Sequence, residues 1–195
     1  MLIALTGKKG HGKTTAARIL EHQGFAHLNF ADPVKEVAKL VYGLTDEEID
    51  DPVLKETPLE RWPFKTPRDI LQKIGTNMFR NYVPDTWTQN HRLRSESHDR
   101  VVASDLRFLN EAAAIRKRGG IVVRVFDPRK PVDGGDESTK HASEMEMDQI
   151  KADFEIINDG SINELHSKMY DIYQRMLAQG WADAKTAYTG AGGAA

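Results

Sequence analysis

Eight residues near the start of the chain have the types and spacing of a phosphate-binding loop. Gly7-Lys8-Lys9-Gly10-His11-Gly12-Lys13-Thr14 fits the pattern G-x-x-x-x-G-K-[ST]. Its glycines let the backbone curl around a phosphate and direct N–H groups at the oxygens. In such a loop Lys13 bridges the β- and γ-phosphates, and the Thr14 hydroxyl binds Mg²⁺. The pattern therefore predicts a site for a nucleoside triphosphate, ATP, bound by Gly10, His11, Gly12, Lys13, Thr14 and Thr15.

The residues around this loop favour the same interpretation over a glycine-rich turn that binds nothing. The apolar run 2–5 predicts a strand before the loop, and residues 15–20 predict a helix after it. A strand, a glycine-rich loop and a helix are the context that the pattern requires, and the helix N-terminus adds its dipole to phosphate binding.

A second candidate is Asp105, which ends the β-branched run 100–104. A carboxylate at the end of a buried strand can hold Mg²⁺ opposite a phosphate loop. The alternative is that Asp105 caps the next helix. Arg107 lies two residues further on, where its guanidinium could form bidentate contacts with the same phosphates.

Phosphoryl transfer needs alignment and positive charge more than covalent chemistry, so basic residues are the next candidates. Arg68 ranks higher than most because it follows Thr66-Pro67 at a predicted helix N-terminus. The alternative for each basic residue is a solvent-exposed position with no role in binding. The basic candidates are Lys9, Lys35, Arg68, Arg80, Arg107, Arg124 and Arg129.

The polar stretch 127–150 has the composition of a mobile lid that excludes water during transfer, or of a solvated loop of mixed charge. Within it, His141-Ala142-Ser143-Glu144 predicts a metal or phosphate contact, or a helix start capped by Ser143. Elsewhere, Trp62, Phe64 and Trp87 could form an aromatic wall for a base, although aromatic residues more often belong to a core.

The elements that must position these residues alternate between strands and helices, which predicts an α/β fold with a five-stranded parallel sheet covered on both faces. Ligands then collect at the carboxyl ends of the strands, where Gly7, Asp32, Asp105 and Asp127 fall. Strands are predicted over 2–5, 25–30, 100–104, 121–126 and 154–157.

Helices are predicted to follow each of these strands, and further helices lie between the second and third. Asp32 is predicted to cap the helix over 32–42, and residues 44–66 are predicted to be irregular. The helix from Thr66-Pro67 should turn Ile70, Leu71, Ile74, Met78 and Phe79 inward, and the last helix, 162–177, should bury Leu165, Met169, Ile172 and Met176. Further helices are predicted over about 84–94 and 110–118.

Composition restricts the class of protein. A net charge of −2 argues against a general nucleic-acid binder, and the absence of cysteine excludes disulfides and thiolate metal sites. No apolar run approaches the roughly 20 residues needed to span a bilayer. We therefore expect a cytoplasmic protein with no nucleic-acid or membrane partner.

Several further segments, in order, resemble the bacteriophage deoxynucleoside monophosphate kinases. They are Phe30-Ala31-Asp32-Pro33 with Lys35, Pro67-Arg68 with residues 71–76 and Arg80, Asp105-Leu106-Arg107-Phe108 with Asn110-Glu111, and His141-Ala142-Ser143-Glu144. With the phosphate loop, the resemblance covers about residues 1–178.

The resemblance implies a P-loop kinase over residues 1–180, with a monophosphate-binding region at about 31–98, a lid at about 127–150 and a flexible tail, 181–195. The implied reaction converts ATP and a deoxynucleoside 5′-monophosphate into ADP and the diphosphate with Mg²⁺, supplying precursors for DNA synthesis, in the host cytoplasm if the protein is phage-encoded. Members are often homodimers. Lys13, Arg107 and a lid arginine, Arg124 or Arg129, would be catalytic, and Thr14 and Asp105 would position the metal. The implied substrate-binding residues are Lys9, Phe30, Asp32, Lys35, Arg68, Gln72, Gly75, Arg80, Trp87, Asp105, Arg107, His141 and Glu144.

Two alternatives stay open. Another small-molecule kinase of this fold, such as a dephospho-coenzyme A or phosphomevalonate kinase, would share the phosphate loop and the Asp-x-Arg segment. A nucleotide-controlled switch or ATPase would bind nucleotide and hydrolyse it slowly without an acceptor.

Overall fold

The computed structural model describes residues 1–130 and 142–180, with backbone alone for 142–145. The chain divides into two compact units. The second unit is Phe30–Leu93, and the first comprises the described residues before and after it. The predicted tail and residues 131–141 of the predicted lid lie outside the described residues.

The first unit is built on a five-stranded parallel sheet, as predicted. Its strands are β1 (Leu2–Thr6), β2 (Ala26–His27), β3 (Val101–Ala103), β4 (Ile121–Phe126) and β5 (Phe154–Ile157), in the order β2-β3-β1-β4-β5. The central strand β1 pairs with β3 through Ala4 and Ala103, and with β4 through Ala4 and Val122. Residues 2–6 are all buried because helices cover both faces of a parallel sheet. Only β2 is much shorter than predicted.

Eight α-helices occur in the described part of the chain. They are α1 (Lys13–Glu21), α2 (Asp32–Tyr42), α3 (Asp46–Asp50), α4 (Pro67–Gln72), α5 (Thr86–Ser95), α6 (Leu109–Lys117), α7 (Ala142–Gln149) and α8 (Ile162–Ala178). A 3₁₀-helix occupies Leu54–Glu56 and a π-helix Lys73–Met78. None of the described helices is long and apolar enough to cross a membrane.

The core of the first unit lies between the sheet and the helices α1 and α8. Ile3 and Leu5 of β1 join it, together with Ala16, Ala17 and Leu20 of α1. Since strand side chains alternate between faces, Leu2 and Ala4 face the opposite side, where α6 packs on β1 and β4. In α8 the predicted inner residues, Leu165, Met169, Ile172 and Met176, are all buried. This packing fixes the end of β1, from which the phosphate loop begins.

The second unit has its own apolar core, formed by Val34, Ala38, Leu44, Ile49, Leu59, Ile70, Ile74 and Trp87. Two predictions about its helices are wrong. The region 44–66 is not irregular throughout, because Thr45 and Glu48 form a capping box that starts α3. Asp32 does not cap α2, because Ala31 is the N-cap and Asp32 and Pro33 lie in the first turn.

Met78 was predicted to face inward, and its side chain is 53% exposed. The spacing of 70, 74 and 78 places the three residues on one face only if the α-helix continues. The helix instead widens at Lys73 into the π-helix. A π-helix has more residues per turn, so Met78 rotates away from the face that Ile70 and Ile74 share.

Candidate functional site

The phosphate loop, residues 7–14, lies between the end of β1 and the start of α1. Gly7 has a φ of +138°, and a Cβ there would lie 2.2 Å from the carbonyl oxygen of Val125 on β4. Gly12 has a φ of +99°, and a Cβ there would lie 2.6 Å from Asn158 Nδ2. Residues with a side chain rarely adopt these φ angles. At Gly7 the added Cβ would collide with backbone, and at Gly12 it would displace the side chains of Asn158 and Leu165. The two glycines therefore allow the loop to pack closely against the ends of β4 and β5.

Lys13 holds its ammonium group against the backbone of this loop. Its Nζ donates to the carbonyl oxygens of Gly7 at 2.5 Å and Lys8 at 2.7 Å. The charge is thus fixed beside the loop backbone where α1 begins, a position suited to the phosphates of ATP. Thr14 is exposed and Thr15 half-buried.

His11 is 1% exposed and joins the phosphate loop to the neighbouring strand ends. Its Nδ1 accepts a hydrogen bond from the Asp127 N–H at 3.3 Å, and its carbonyl oxygen accepts one from Asn158 Nδ2 at 3.1 Å. Burial, followed by the charge of Lys13, lowers the pKa of His11 below 6.5. The ring is therefore neutral near pH 7, and because Nδ1 accepts, Nε2 carries the proton. The buried His11 ring thus attaches the phosphate loop to the end of β4.

Arg129 and Asp127 form a two-point ion pair after β4. Arg129 Nε and Nη2 donate to the two Asp127 carboxylate oxygens at 2.9 and 3.1 Å, and Nη2 also donates to the Asn158 carbonyl oxygen at 3.0 Å. The Arg129 guanidinium lowers the pKa of Asp127 to about 2. Of the two predicted lid arginines, Arg129 thus has its guanidinium bound to Asp127 in this structure.

Arg124, the other predicted lid arginine, lies within β4 and not in a lid. It is half-buried, and its Nη2 donates to the Ile150 carbonyl oxygen at 2.6 Å. It lines a cavity of about 110 Å³ with Gly7, Lys8, His11, Val125, Phe126, Met147 and Asp148. At the same place Lys8 Nζ pairs with Asp148 at 3.0 Å, which ties the phosphate loop to α7.

Asp105 and Arg107 lie in the turn between β3 and α6. The N-cap of α6 is Phe108, so Asp105 does not cap this helix as the alternative interpretation required. Asp105 is half-buried, whereas Arg107 is exposed and makes no ion pair or hydrogen bond through its guanidinium with the described residues. The Leu106 N–H donates to the Leu5 carbonyl oxygen at 3.2 Å. The turn is thereby attached to β1, just before the phosphate loop.

The second unit contains most of the residues implied to bind the acceptor. Arg68 forms an ion pair with Glu56, and Lys35 pairs with Asp50 at 2.7 Å. Phe30 is buried and stacks on His91, with ring centroids 4.4 Å apart. Asp32, Gln72, Gly75 and Arg80 are half-buried. The side chains of His141 and Glu144 lie outside those that the structure describes.

The predicted aromatic wall does not include Trp87. This residue is 4% exposed in the core of the second unit, and its indole Nε1 donates to the Gly75 carbonyl oxygen at 2.7 Å. Trp62 is 63% exposed and stacks on Tyr42, and Phe64 is also exposed. Trp87 thus takes the core position that the sequence analysis gave as the alternative, and its contact with a base stays a prediction.

Several residues that shape the site were missed by the sequence analysis. Asn158 contacts the loop and Arg129, and its place after β5 is the position at which the switch-point rule puts ligand-facing residues. Asp148 on α7 had no comparable signal, because its contact with Lys8 joins residues far apart in the chain.

No family model matches the chain. Over 186 residues it is 36% identical to an Acanthamoeba polyphaga mimivirus protein described as a "Putative deoxynucleotide monophosphate kinase", covering 87% of this chain and 94% of the relative. The chain belongs to the deoxynucleotide monophosphate kinase family. The predicted kinase class is confirmed at this level, and the bacteriophage subfamily stays a prediction.

Solved structures give the same fold for this family member at much lower identity. Shikimate kinase from Aquifex aeolicus matches with a TM-score of 0.54 at 16% identity, covering 92% of this chain and 99% of its own. Dephospho-CoA kinase from Campylobacter jejuni matches with a TM-score of 0.51 at 16% identity, covering 92% and 98%. These similarities confirm the predicted P-loop kinase fold.

Proposed function

We propose that this protein transfers the γ-phosphoryl group of ATP to a deoxynucleoside 5′-monophosphate, giving ADP and the diphosphate as a precursor for DNA synthesis. The observation that carries the proposal is a complete phosphate loop, with the Lys13 ammonium held against its backbone, in a chain 36% identical over 186 residues to the mimivirus relative. Such a loop binds the donor, and the relative's name supports a deoxynucleotide acceptor.

Thr14 and Asp105 fit a site for Mg²⁺ in their chemistry. Both offer hard oxygen donors, and they follow β1 and β3, which are neighbours in the sheet. The described residues hold no group of three His, Asp or Glu side chains that could hold a metal ion. When bound, Mg²⁺ would neutralise charge on the phosphate oxygens.

Lys13 and Arg107 are the residues of this chain that we assign to the moving phosphoryl group. Lys13 is already held at the loop, and the Arg107 guanidinium has no ion pair among the described residues. Lys9 is likewise exposed without a described partner and could hold an acceptor phosphate. A planar guanidinium group can donate two parallel hydrogen bonds to two phosphate oxygens, and its charge stabilises the negative charge of the transition state.

The residues of the second unit are proposed to bind the acceptor. Arg68 and Lys35 carry their charges in ion pairs with Glu56 and Asp50, so an acceptor phosphate would have to replace a carboxylate at each. The monophosphate-binding region and the lid remain proposals, as do a homodimer and a cytoplasmic location. Of the three residues of the predicted aromatic wall, Trp62 and Phe64 are exposed and Trp87 is buried.

The experiment is a steady-state assay of ADP release with Mg²⁺-ATP. The acceptors are dAMP, dGMP, dCMP and dTMP, their ribose counterparts, dephospho-coenzyme A and phosphomevalonate. We expect acceptor-dependent turnover with at least one deoxynucleoside monophosphate. Turnover with a non-nucleotide acceptor alone would identify another small-molecule kinase, and slow hydrolysis that no acceptor changes would identify an ATPase or switch.

A further inference from the structure

Two carboxylates bind three successive backbone N–H groups where α6 begins. Glu111 Oε2 accepts from the N–H groups of Arg107 at 3.0 Å and Phe108 at 3.2 Å. The next N–H, of Leu109, donates to Glu146 Oε2 of α7 at 3.2 Å. The first N–H groups of a helix have no partner within the helix, and these bonds satisfy them.

The contact between Glu111 and Arg107 goes beyond ordinary helix capping. In a capping box, the glutamate at the third helical position accepts from the N-cap N–H, here that of Phe108. The same Glu111 oxygen also accepts from Arg107, one residue before the N-cap. Glu111 is 2% exposed, and a carboxylate this deeply buried is costly unless hydrogen bonds compensate it. Both bonds hold the turn that carries Arg107.

The backbone of this turn is fixed while the side chain of Arg107 is left available. Four consecutive N–H groups, those of residues 106–109, donate to Leu5, Glu111 and Glu146. The Arg107 guanidinium has no hydrogen bond or ion pair within the described ranges, in contrast to Arg68 and Arg129. A fixed backbone with an unpaired guanidinium is suited to binding an anion in a defined geometry.

We propose that Glu111 is a positioning residue for Arg107, and that Glu146 supports the same turn from α7. The proposal rests on the proposed function, in which Arg107 contacts the transferring phosphoryl group. A bidentate guanidinium contact depends on where the backbone places the side chain, and a displacement of about 1 Å can cost on the order of 10²-fold in rate. Glu111 acts through the backbone of Arg107 and touches no substrate.

The test is a double-mutant cycle between Glu111 and Arg107. Glu111→Ala should lower kcat about 10- to 100-fold in the otherwise unchanged protein, following the cost of a misplaced catalytic group. In an Arg107→Ala background the same change should lower kcat less than about threefold, because the residue it positions is gone. The KM for ATP should change little. Equal losses in both backgrounds would overturn the proposal and leave Glu111 a structural cap.

Two further variants keep the test interpretable. Glu111→Gln retains an oxygen acceptor, so it should fold if Glu111→Ala does not and should recover part of kcat. Glu164→Ala removes the corresponding carboxylate of the α8 capping box, which accepts from the Ser161 N–H. It should lower the unfolding temperature with little change in kcat. If Glu164→Ala lowers kcat as much as Glu111→Ala does, the proposed role is wrong.

Amide hydrogen exchange gives a measurement independent of turnover. In Glu111→Ala, exchange should speed up at the Arg107 and Phe108 N–H groups relative to Leu106, whose bond goes to Leu5, and Glu111→Gln should fall between this variant and the unchanged protein. If no acceptor supports turnover in the unchanged protein, the proposed function has failed, whatever the exchange shows. If turnover is present and exchange at Arg107 and Phe108 does not change, the positioning role is overturned alone.

Discussion

His11 Nδ1 accepts a hydrogen bond from the N–H of Asp127, 116 residues further along the chain, at 3.3 Å. This contact fixes the phosphate loop against the end of β4, where Asp127 also binds Arg129. Because Nδ1 must stay unprotonated to accept, the contact depends on a neutral ring. Protonation of His11 would place an unsatisfied charge in a buried position beside Lys13.

The free energy of unfolding should therefore fall as the pH decreases below about 6.5, and His11 should contribute part of this pH dependence. The pKa of His11 is lowered in the folded protein, so the unfolded chain binds more protons in the window just below 6.5, and acid favours unfolding there. Urea unfolding at pH 7.5 and 5.5 should show a smaller pH dependence for His11→Asn than for the unchanged protein. His22→Asn, at an exposed histidine, is the control and should parallel the unchanged protein. Parallel curves for His11→Asn would contradict the prediction.

Gly7→Ala should prevent the phosphate loop from forming. The new Cβ would lie 2.2 Å from the Val125 carbonyl oxygen, at a backbone position that side chains also avoid. We expect a loss of stability of several kcal/mol together with loss of ATP binding. Gly24→Ala is the matched control, since its φ is +82° and, apart from the adjoining residues, no atom lies within 4 Å of the added Cβ. Thermal unfolding should show a cost of only about 1–2 kcal/mol for Gly24→Ala, and equal costs would refute the role of close packing at Gly7.

Lys13→Met should abolish phosphoryl transfer while leaving the fold intact. The substitution keeps an unbranched side chain and removes the ammonium that donates to Gly7 and Lys8. We expect kcat to fall by at least about 10²–10³-fold, as when one donor to a developing charge is lost. ADP release measures the effect, and circular dichroism checks the fold. Lys117→Met, at an exposed lysine of α6, should keep normal activity. Near-normal turnover in Lys13→Met would exclude this loop as the donor site.

Trp87→Phe should affect stability and not acceptor binding. The change removes the hydrogen bond to the Gly75 carbonyl oxygen and leaves space in the core of the second unit. Together these should cost about 2–3 kcal/mol. Trp62→Phe keeps the stacking on Tyr42 and should be nearly neutral for stability. Chemical unfolding of both variants measures the difference. A rise in the KM for every acceptor in Trp87→Phe, at unchanged stability, would restore the predicted contact with a base.

The sequence predicted the sheet and the loop well because both depend on local patterns. Apolar runs predicted β1, β4 and β5 to within one residue at each end. The glycine spacing predicted the phosphate loop, in which a Cβ at Gly7 would collide with the Val125 carbonyl oxygen. A prediction failed where the backbone does not keep the regular helical period that the sequence pattern assumes. Met78 turned outward because the α-helical period ends at a π-helix. The capping box of Thr45 and Glu48 was present in the sequence and could have predicted α3.

Other parts of the site could not be predicted because they join residues distant in the chain. Glu111 accepts from Arg107 within one local motif, but Glu146 and Asp148 reach Leu109 and Lys8 from α7. Nothing in the types or spacing of these carboxylates indicates their partners. Trp87 shows the related difficulty that one aromatic residue can suit a core or a ligand equally well, and only its burial distinguishes the two.

The two chain segments that flank the second unit are joined to each other. Arg94 Nη2 donates to the carbonyl oxygen of Asn29, so the chain leaves the first unit and returns to it at neighbouring points. Residues 30–93 are thus a single insertion between β2 and β3, and the length of an insertion whose ends meet has little effect on the sheet that carries it. Such a contiguous insertion can be exchanged as one segment. If the second unit binds the acceptor, as proposed, replacement of this one contiguous segment would change acceptor preference and leave the strands, the phosphate loop and its supporting contacts unaltered.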